Sequence, residues 1–235
     1  MPRILIYVVV VSVFTCIAHA QNISLRVENE QISGEPQNNS SSQIKVYEEL
    51  FKKSFEHQRK EHIAVIKRLQ KIDDYERLYK MITVFGEKMI DVIEASKALI
   101  ENGDFNPNNR SLPRNVTIQN AIFITLENTA FFGDILLHFP HITHRILKTQ
   151  QKWNSIINWS LNFMYRTKYL LDSETLTKIH LISQELNITK REQGYFNPYW
   201  QRTDSRKGDN GKTKKKKLVK KERQKRGPQI TKIEF

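Results

Sequence analysis

Between Val116 and Phe139 the chain is apolar on every side, and this run limits what the whole sequence can fold into. Val116, Ile118, Ala121, Ile122, Phe123, Ile124, Leu126, Ala130, Phe131, Phe132, Ile135, Leu136, Leu137 and Phe139 leave no polar face. A helix of that kind must be covered all round. Gln119, Asn120, Glu127, Asn128 and Asp134 interrupt it too often for a bilayer span, where polar and charged groups are costly. The run is therefore predicted as the central helix of a bundle on which the rest of the chain packs. Gly133 costs about 1 kcal/mol of helix propensity against alanine. Close approach of a neighbouring helix is the expected compensation.

The flanking segments supply those neighbours. From Ile44 to Ile100, apolar residues recur in steps of three and four, through Tyr47, Phe51, Phe55, Val65, Leu69, Ile72, Tyr79, Ile82, Met89, Val92 and Ile93. That is amphipathic helix, read as two antiparallel helices with a break near Asp73 and capping by Asp73-Asp74. The pattern lapses at Gln58 and His62, which argues against a long coiled coil. Lys52, Lys53, Arg59, Lys60, Glu61, Lys67 and Arg68 are assigned to a solvated face. Glu101 to Asp104 ends the pair, and Phe105 to Asn115, with two prolines, is a loop. Beyond the central run, Pro140 suits the first turn of a new helix. Two further stripes run from Trp153 to Met164 and from Leu176 to Leu186. Thr189 to Glu192 has the form of a capping box, and Tyr195, Phe196, Tyr199 and Trp200 are expected to dock the chain end onto its own core. The fold class is all-α: a single helical bundle over residues 44–200 with a central apolar helix.

Both ends differ from this body in composition. Met1 to Ala20 places Arg3 before an apolar stretch that ends in Ala18-His19-Ala20, the form of a secretory signal peptide. The single cysteine, Cys16, lies within it, so cleavage would leave neither a disulfide framework nor a cysteine nucleophile, and no transmembrane helix. Residues 21–43 are rich in Asn, Ser, Gln and Glu and read as a flexible leader. Of the net charge of +13, residues 202–235 carry +10, from 14 Lys/Arg against 4 Asp/Glu, so the body is close to neutral. Residues 201–235 form a basic, disordered tail in which Lys214, Lys215, Lys216, Lys217, Lys220, Lys221, Arg223, Lys225 and Arg226 are the expected contacts to acidic surfaces. No interleaved aromatic is present to stack on nucleic-acid bases. Arg223-Gln224-Lys225-Arg226 also has the form of a dibasic processing site.

Several patterns touch on chemistry. In a chain entering the secretory route, Asn22, Asn38, Asn39, Asn109, Asn115 and Asn187 head glycosylation acceptor sequences. Asn109 and Asn115, in the loop before the central helix, are preferred, and Asn158 is set aside as lying within a helix. His138, His141 and His144 are spaced by three, but the proline helix start divides them and no carboxylate or cysteine completes a metal site. Glu127 and Asp134, seven apart, share one helix face; they are read as buried carboxylates fixing packing register rather than as an acid–base pair. Gly208 to Thr213 faintly resembles a phosphate loop, with the wrong glycine spacing. No catalytic set, cofactor site or small-molecule substrate follows.

The core Glu127-Asn128-Thr129-Ala130-Phe131-Phe132-Gly133-Asp134, continued by Ile135 to Pro140, Trp153-Asn154 and Gln184-Glu185-Leu186, resembles the coiled-coil domain-containing protein 134 family. The resemblance spans about residues 45–198 and continues through the tail to Gly227-Pro228. It implies a helical, non-enzymatic protein of the endoplasmic-reticulum lumen or the secretory route, with no catalytic residues to carry over. It further implies association with the lumenal chaperone endoplasmin as an accessory factor, the function expected first. The alternative is a secreted regulator that lowers ERK and JNK signalling, and a third is a nuclear regulator acting through the basic tail. Some relatives are retained by a C-terminal Lys-Asp-Glu-Leu signal; Lys232-Ile233-Glu234-Phe235 lacks its aspartate.

Overall fold

A computed structural model describes residues 40–103 and 105–200. The expected signal sequence, the acceptors Asn22, Asn38 and Asn39, most of the expected leader, the glycine motif at 208–213 and the basic tail lie outside the described residues. Among these residues the elements are all helical: α1 (Ser40–Leu69), α2 (Tyr75–Asn102), α3 (Val116–His138), α4 (Pro140–Thr149), α5 (Gln151–Arg166) and α6 (Ser173–Glu185). Short 3-10 turns occupy Pro107–Asn109 and Lys168–Leu170. Helix α1 begins at Ser40, ahead of the apolar pattern that starts at Ile44.

Helix α3 is the hub that its sequence demands. It packs against all five other helices, and its residues from Thr125 to Leu137 are buried almost without a break. No single helix among the described residues is long and apolar enough to cross a membrane. The chain turns by 116° between α3 and α4, because Phe139 leaves helical geometry and Pro140 opens the next helix. Asp74 caps α2 by accepting the Arg77 N–H at 3.1 Å, and Asn115 caps α3 by accepting from the N–H groups of Thr117 and Ile118.

Gly133 is explained by its neighbour. A Cβ built there would run into Cδ1 of Ile182 on α6, so the glycine is what lets α6 approach the hub. Gly86 does the same for the Trp153 ring, joining α2 to α5.

The break at Asp73 is present, and α1 and α2 make little contact with each other because each spends its apolar face on α3. Two expectations need correction. The stripe on α1 does not lapse, since Gln58 and His62 are buried at the positions where apolar residues were looked for. Thr189 to Glu192 starts no helix: the chain there is a strap of turns, and the Glu192 N–H donates to Oε1 of Gln184 at 3.0 Å. With α6 ended and a proline at 198, that amide is satisfied by a side chain of the preceding helix instead.

Candidate functional site

The recognisable octet of α3 is interior. Arg59 of α1, assigned by sequence to the solvated face, is only 7% exposed. Its guanidinium grips Asp134 in a two-pronged pair, Nη1 donating to Oδ2 at 2.5 Å and Nη2 to Oδ1 at 3.0 Å. Lys178 of α6, also buried, brings Nζ to 3.6 Å from Asp134 Oδ1 and to 3.0 Å from Glu174. One carboxylate therefore ties three helices together. Seven residues earlier on α3, Oε1 of Glu127 lies 3.7 Å from Nε2 of His62. The His62 ring stacks on Phe131 with centroids 4.5 Å apart, and its Nδ1 lies 3.3 Å from Arg59 Nη1.

The rest of the octet packs. The Thr129 hydroxyl donates to the Thr125 carbonyl at 2.6 Å and the Asn128 amide to that of Ile124 at 2.9 Å. Ala130 and Phe132 are buried, and Gly133 admits Ile182. Glu127 and Asp134 are both buried, and their partners are Arg59, His62 and Lys178. The signal for those partners was present in the sequence. Phe55, His62 and Leu69 are seven apart, so His62 sits at a core position, and Arg59, one turn from Phe55, borders the same stripe.

A strap of residues 191–200 covers one end of this cluster. Asn197 donates from Nδ2 to the carbonyl of Leu137 at 2.8 Å, satisfying a carbonyl in the last turn of α3. The Tyr199 ring lies over Lys178 Nζ at 5.5 Å and edge-on to His138 at 5.3 Å. Trp200 meets His141 with centroids 4.8 Å apart. Tyr195 donates its hydroxyl to Glu185 Oε2 at 2.7 Å. Docking of the chain end thus uses Tyr195, Tyr199 and Trp200, while Phe196 remains 70% exposed.

The three spaced histidines take three separate partners. His138 pairs with Gln70 at 3.1 Å, His141 with the Trp200 ring and His144 with Glu185 at 3.1 Å. Burial holds His138 below its usual pKa, and Lys178 adds to this while Asp134 opposes it. At Glu185 burial pushes the carboxyl up, but bonds from Tyr195 and His144 together with the charge of Arg191 outweigh it and hold it below the ordinary value. Burial and that same carboxylate push the Tyr195 hydroxyl well upward.

The acceptor asparagines within reach, Asn109, Asn115 and Asn187, are all exposed. Asn158 is exposed as well, in the middle of α5. An open hollow of about 330 Å³ lies elsewhere, between Ile100, Phe105, Trp159, Phe163 and Arg166.

Fold and site together define a helical protein whose octet is turned inward, with Asp134 held by Arg59 and Lys178, Glu127 beside His62, and a strap over one end. Residues 36–231 match the family described as "ERK and JNK pathways, inhibitor", and the chain belongs to that family. It is similar to the Coiled-coil domain-containing protein 134 of Xenopus tropicalis, with 32% identity over 151 residues that cover 64% of this chain and 66% of the relative. The protein of that name from Mus musculus is 31% identical over 150 residues, 64% of this chain and 65% of the relative. The chain thus spans just under two thirds of each relative's length. No solved structure matches.

Proposed function

We propose that the chain is a non-enzymatic regulator of the secretory route that lowers signalling through the ERK and JNK kinases by binding a protein partner. The observation that carries this reading is the match of residues 36–231 to a family described as inhibiting those pathways. It favours the signalling role over the endoplasmin accessory role that the sequence resemblance put first. The buried state of Asp134 and Glu127 supports a binding role, since neither carboxylate is open to a substrate. With the octet inside, a partner meets the outer faces of the helices, the strap or the basic tail.

The test adds the purified chain to stimulated cells and also expresses it within them, and follows phosphorylation of ERK and JNK. The expected result is reduced phosphorylation of both kinases in at least one arm, with the added protein acting only where it reaches its receptor. Unchanged phosphorylation in both arms, from protein shown to be folded, overturns the reading.

A further inference from the structure

We propose that Asn187 carries an N-linked glycan, making Asn187-Ile188-Thr189 the acceptor that the folded bundle is built to display. The inference rests on the secretory-route reading and adds a modification site to it. Asn187 is the second residue past the end of α6 and adopts a left-handed backbone, φ +56°. The turn is completed by main-chain bonds alone: the Asn187 N–H donates to the Gln184 carbonyl at 3.2 Å, and the N–H groups of Ile188 and Thr189 both donate to that of Ser183, at 2.9 and 3.2 Å. These bonds satisfy carbonyls that a helix end leaves open. The carboxamide is consequently not needed for the turn, and it makes no hydrogen bond among the described residues. Asn187, Ile188, Thr189 and Lys190 are all exposed, so a bulky, solubilising group has room. Ile188 is 39% exposed, an apolar side chain in solvent beside the acceptor that the first sugar ring would shield.

The other acceptors in the bundle are placed differently. Asn115, preferred on sequence, commits its Oδ1 to capping α3. Asn158 lies within α5, and its sequence partner Ser160 is buried with its hydroxyl on the Ile157 carbonyl. Asn109 is exposed in the 3-10 turn, but its sequence ends in Ser111, and a hydroxyl on serine is a poorer acceptor partner than one on threonine. In the transfer, Nδ2 of Asn187 attacks the anomeric carbon of a polyprenyl-diphosphate-linked oligosaccharide. A C–N bond forms, the C–O bond to the diphosphate breaks, and the polyprenyl diphosphate leaves with the electron pair. The amide proton passes to a base of the transferase.

The experiment expresses the full chain in secretory-competent eukaryotic cells. Glycan release in heavy-oxygen water with an amidase converts an occupied asparagine to labelled aspartate, and peptides are then weighed. Label at 187 is expected, together with loss of one glycan step in gel mobility for Asn187→Gly and Thr189→Ala, and retention for Thr189→Ser. Asn187→Gly keeps the left-handed position free of strain, so its loss of glycan is not loss of fold. An unlabelled 187 peptide beside label at Asn22, Asn38, Asn39 or Asn109 overturns the site while leaving the secretory route intact. No label at any acceptor in a chain that stays in the cytosol overturns both.

Discussion

The cluster around Asp134 and the strap over α6 use the same chemistry and stand at opposite ends of its energetic range. Both combine carboxylates, cations and aromatic rings. In the cluster, Arg59, Asp134, His62, Glu127 and Lys178 are all buried. At the strap, Glu192 pairs with His180 of α6 at 2.9 Å, with side chains 69% and 55% exposed. A charge in the interior left without its partner costs several kcal/mol, whereas an exposed pair is screened and contributes little. The comparison separates two meanings of a recognisable motif. The octet on α3 is spent on holding the bundle, so the proposed binding role has to use other surfaces.

That contrast is open to attack at several points. Phe131→Ala removes the ring on which His62 stacks and should cost about 3–5 kcal/mol. Chemical unfolding measures it, and an unchanged midpoint would place the ring outside the core. Gly133→Ala pushes a methyl group into Ile182; overpacking of this kind costs about 1–3 kcal/mol, offset in part by better helix propensity. The companion Ile182→Val should recover some of the loss, and a neutral Gly133→Ala would mean α6 stands further off.

At His138, burial keeps the folded pKa below the ordinary 6.5. The unfolded chain therefore takes up a proton near pH 6.5 while the folded one does not. Stability falls as pH drops below that value, until the folded pKa is reached. His138→Gln should flatten the slope of stability against pH in that window, and an identical slope in the variant would refute it. Glu192→Gln, at the exposed end of the comparison, should change stability by about 0–1 kcal/mol. A larger loss would show that the strap is held by its surface pair rather than by Asn197, Tyr195 and Tyr199.

What could be read from the sequence followed from apolar spacing and from residues with strong backbone preferences. The central helix, the break before Tyr75, the turn at Pro140 and the close approach at Gly133 are all set by local physics, and each is where it was expected. The partners of the buried carboxylates were harder. Arg59 looks like any surface cation in a charged stretch, and only its place beside Phe55 and His62, together with two carboxylates in need of cations, marks it. Thr189 to Glu192 satisfied the residue pattern of a helix start, but nothing in a local pattern reveals that Gln184 already offers its side-chain oxygen to Glu192 N–H. Likewise the acceptor pattern headed by Asn115 does not reveal that its Oδ1 caps α3 through the N–H groups of Thr117 and Ile118.

The central claim, that the octet acts by holding helices together, is tested most directly by a double-mutant cycle on Arg59 and Asp134. Stabilities of the parent, Arg59→Met, Asp134→Leu and the double variant would be measured by denaturant unfolding, with ERK and JNK phosphorylation followed in parallel. Each single change takes from a buried charge its two-pronged partner and should cost about 3–5 kcal/mol, with Arg59→Met at the lower end because Lys178 still lies 3.6 Å from Asp134, while the double variant should recover a large part of the summed loss. Lys178 keeps the recovery incomplete, because Asp134→Leu also removes its partner. Single variants as stable as the parent that nonetheless lose their effect on kinase phosphorylation would contradict the account and place the octet at a partner's surface.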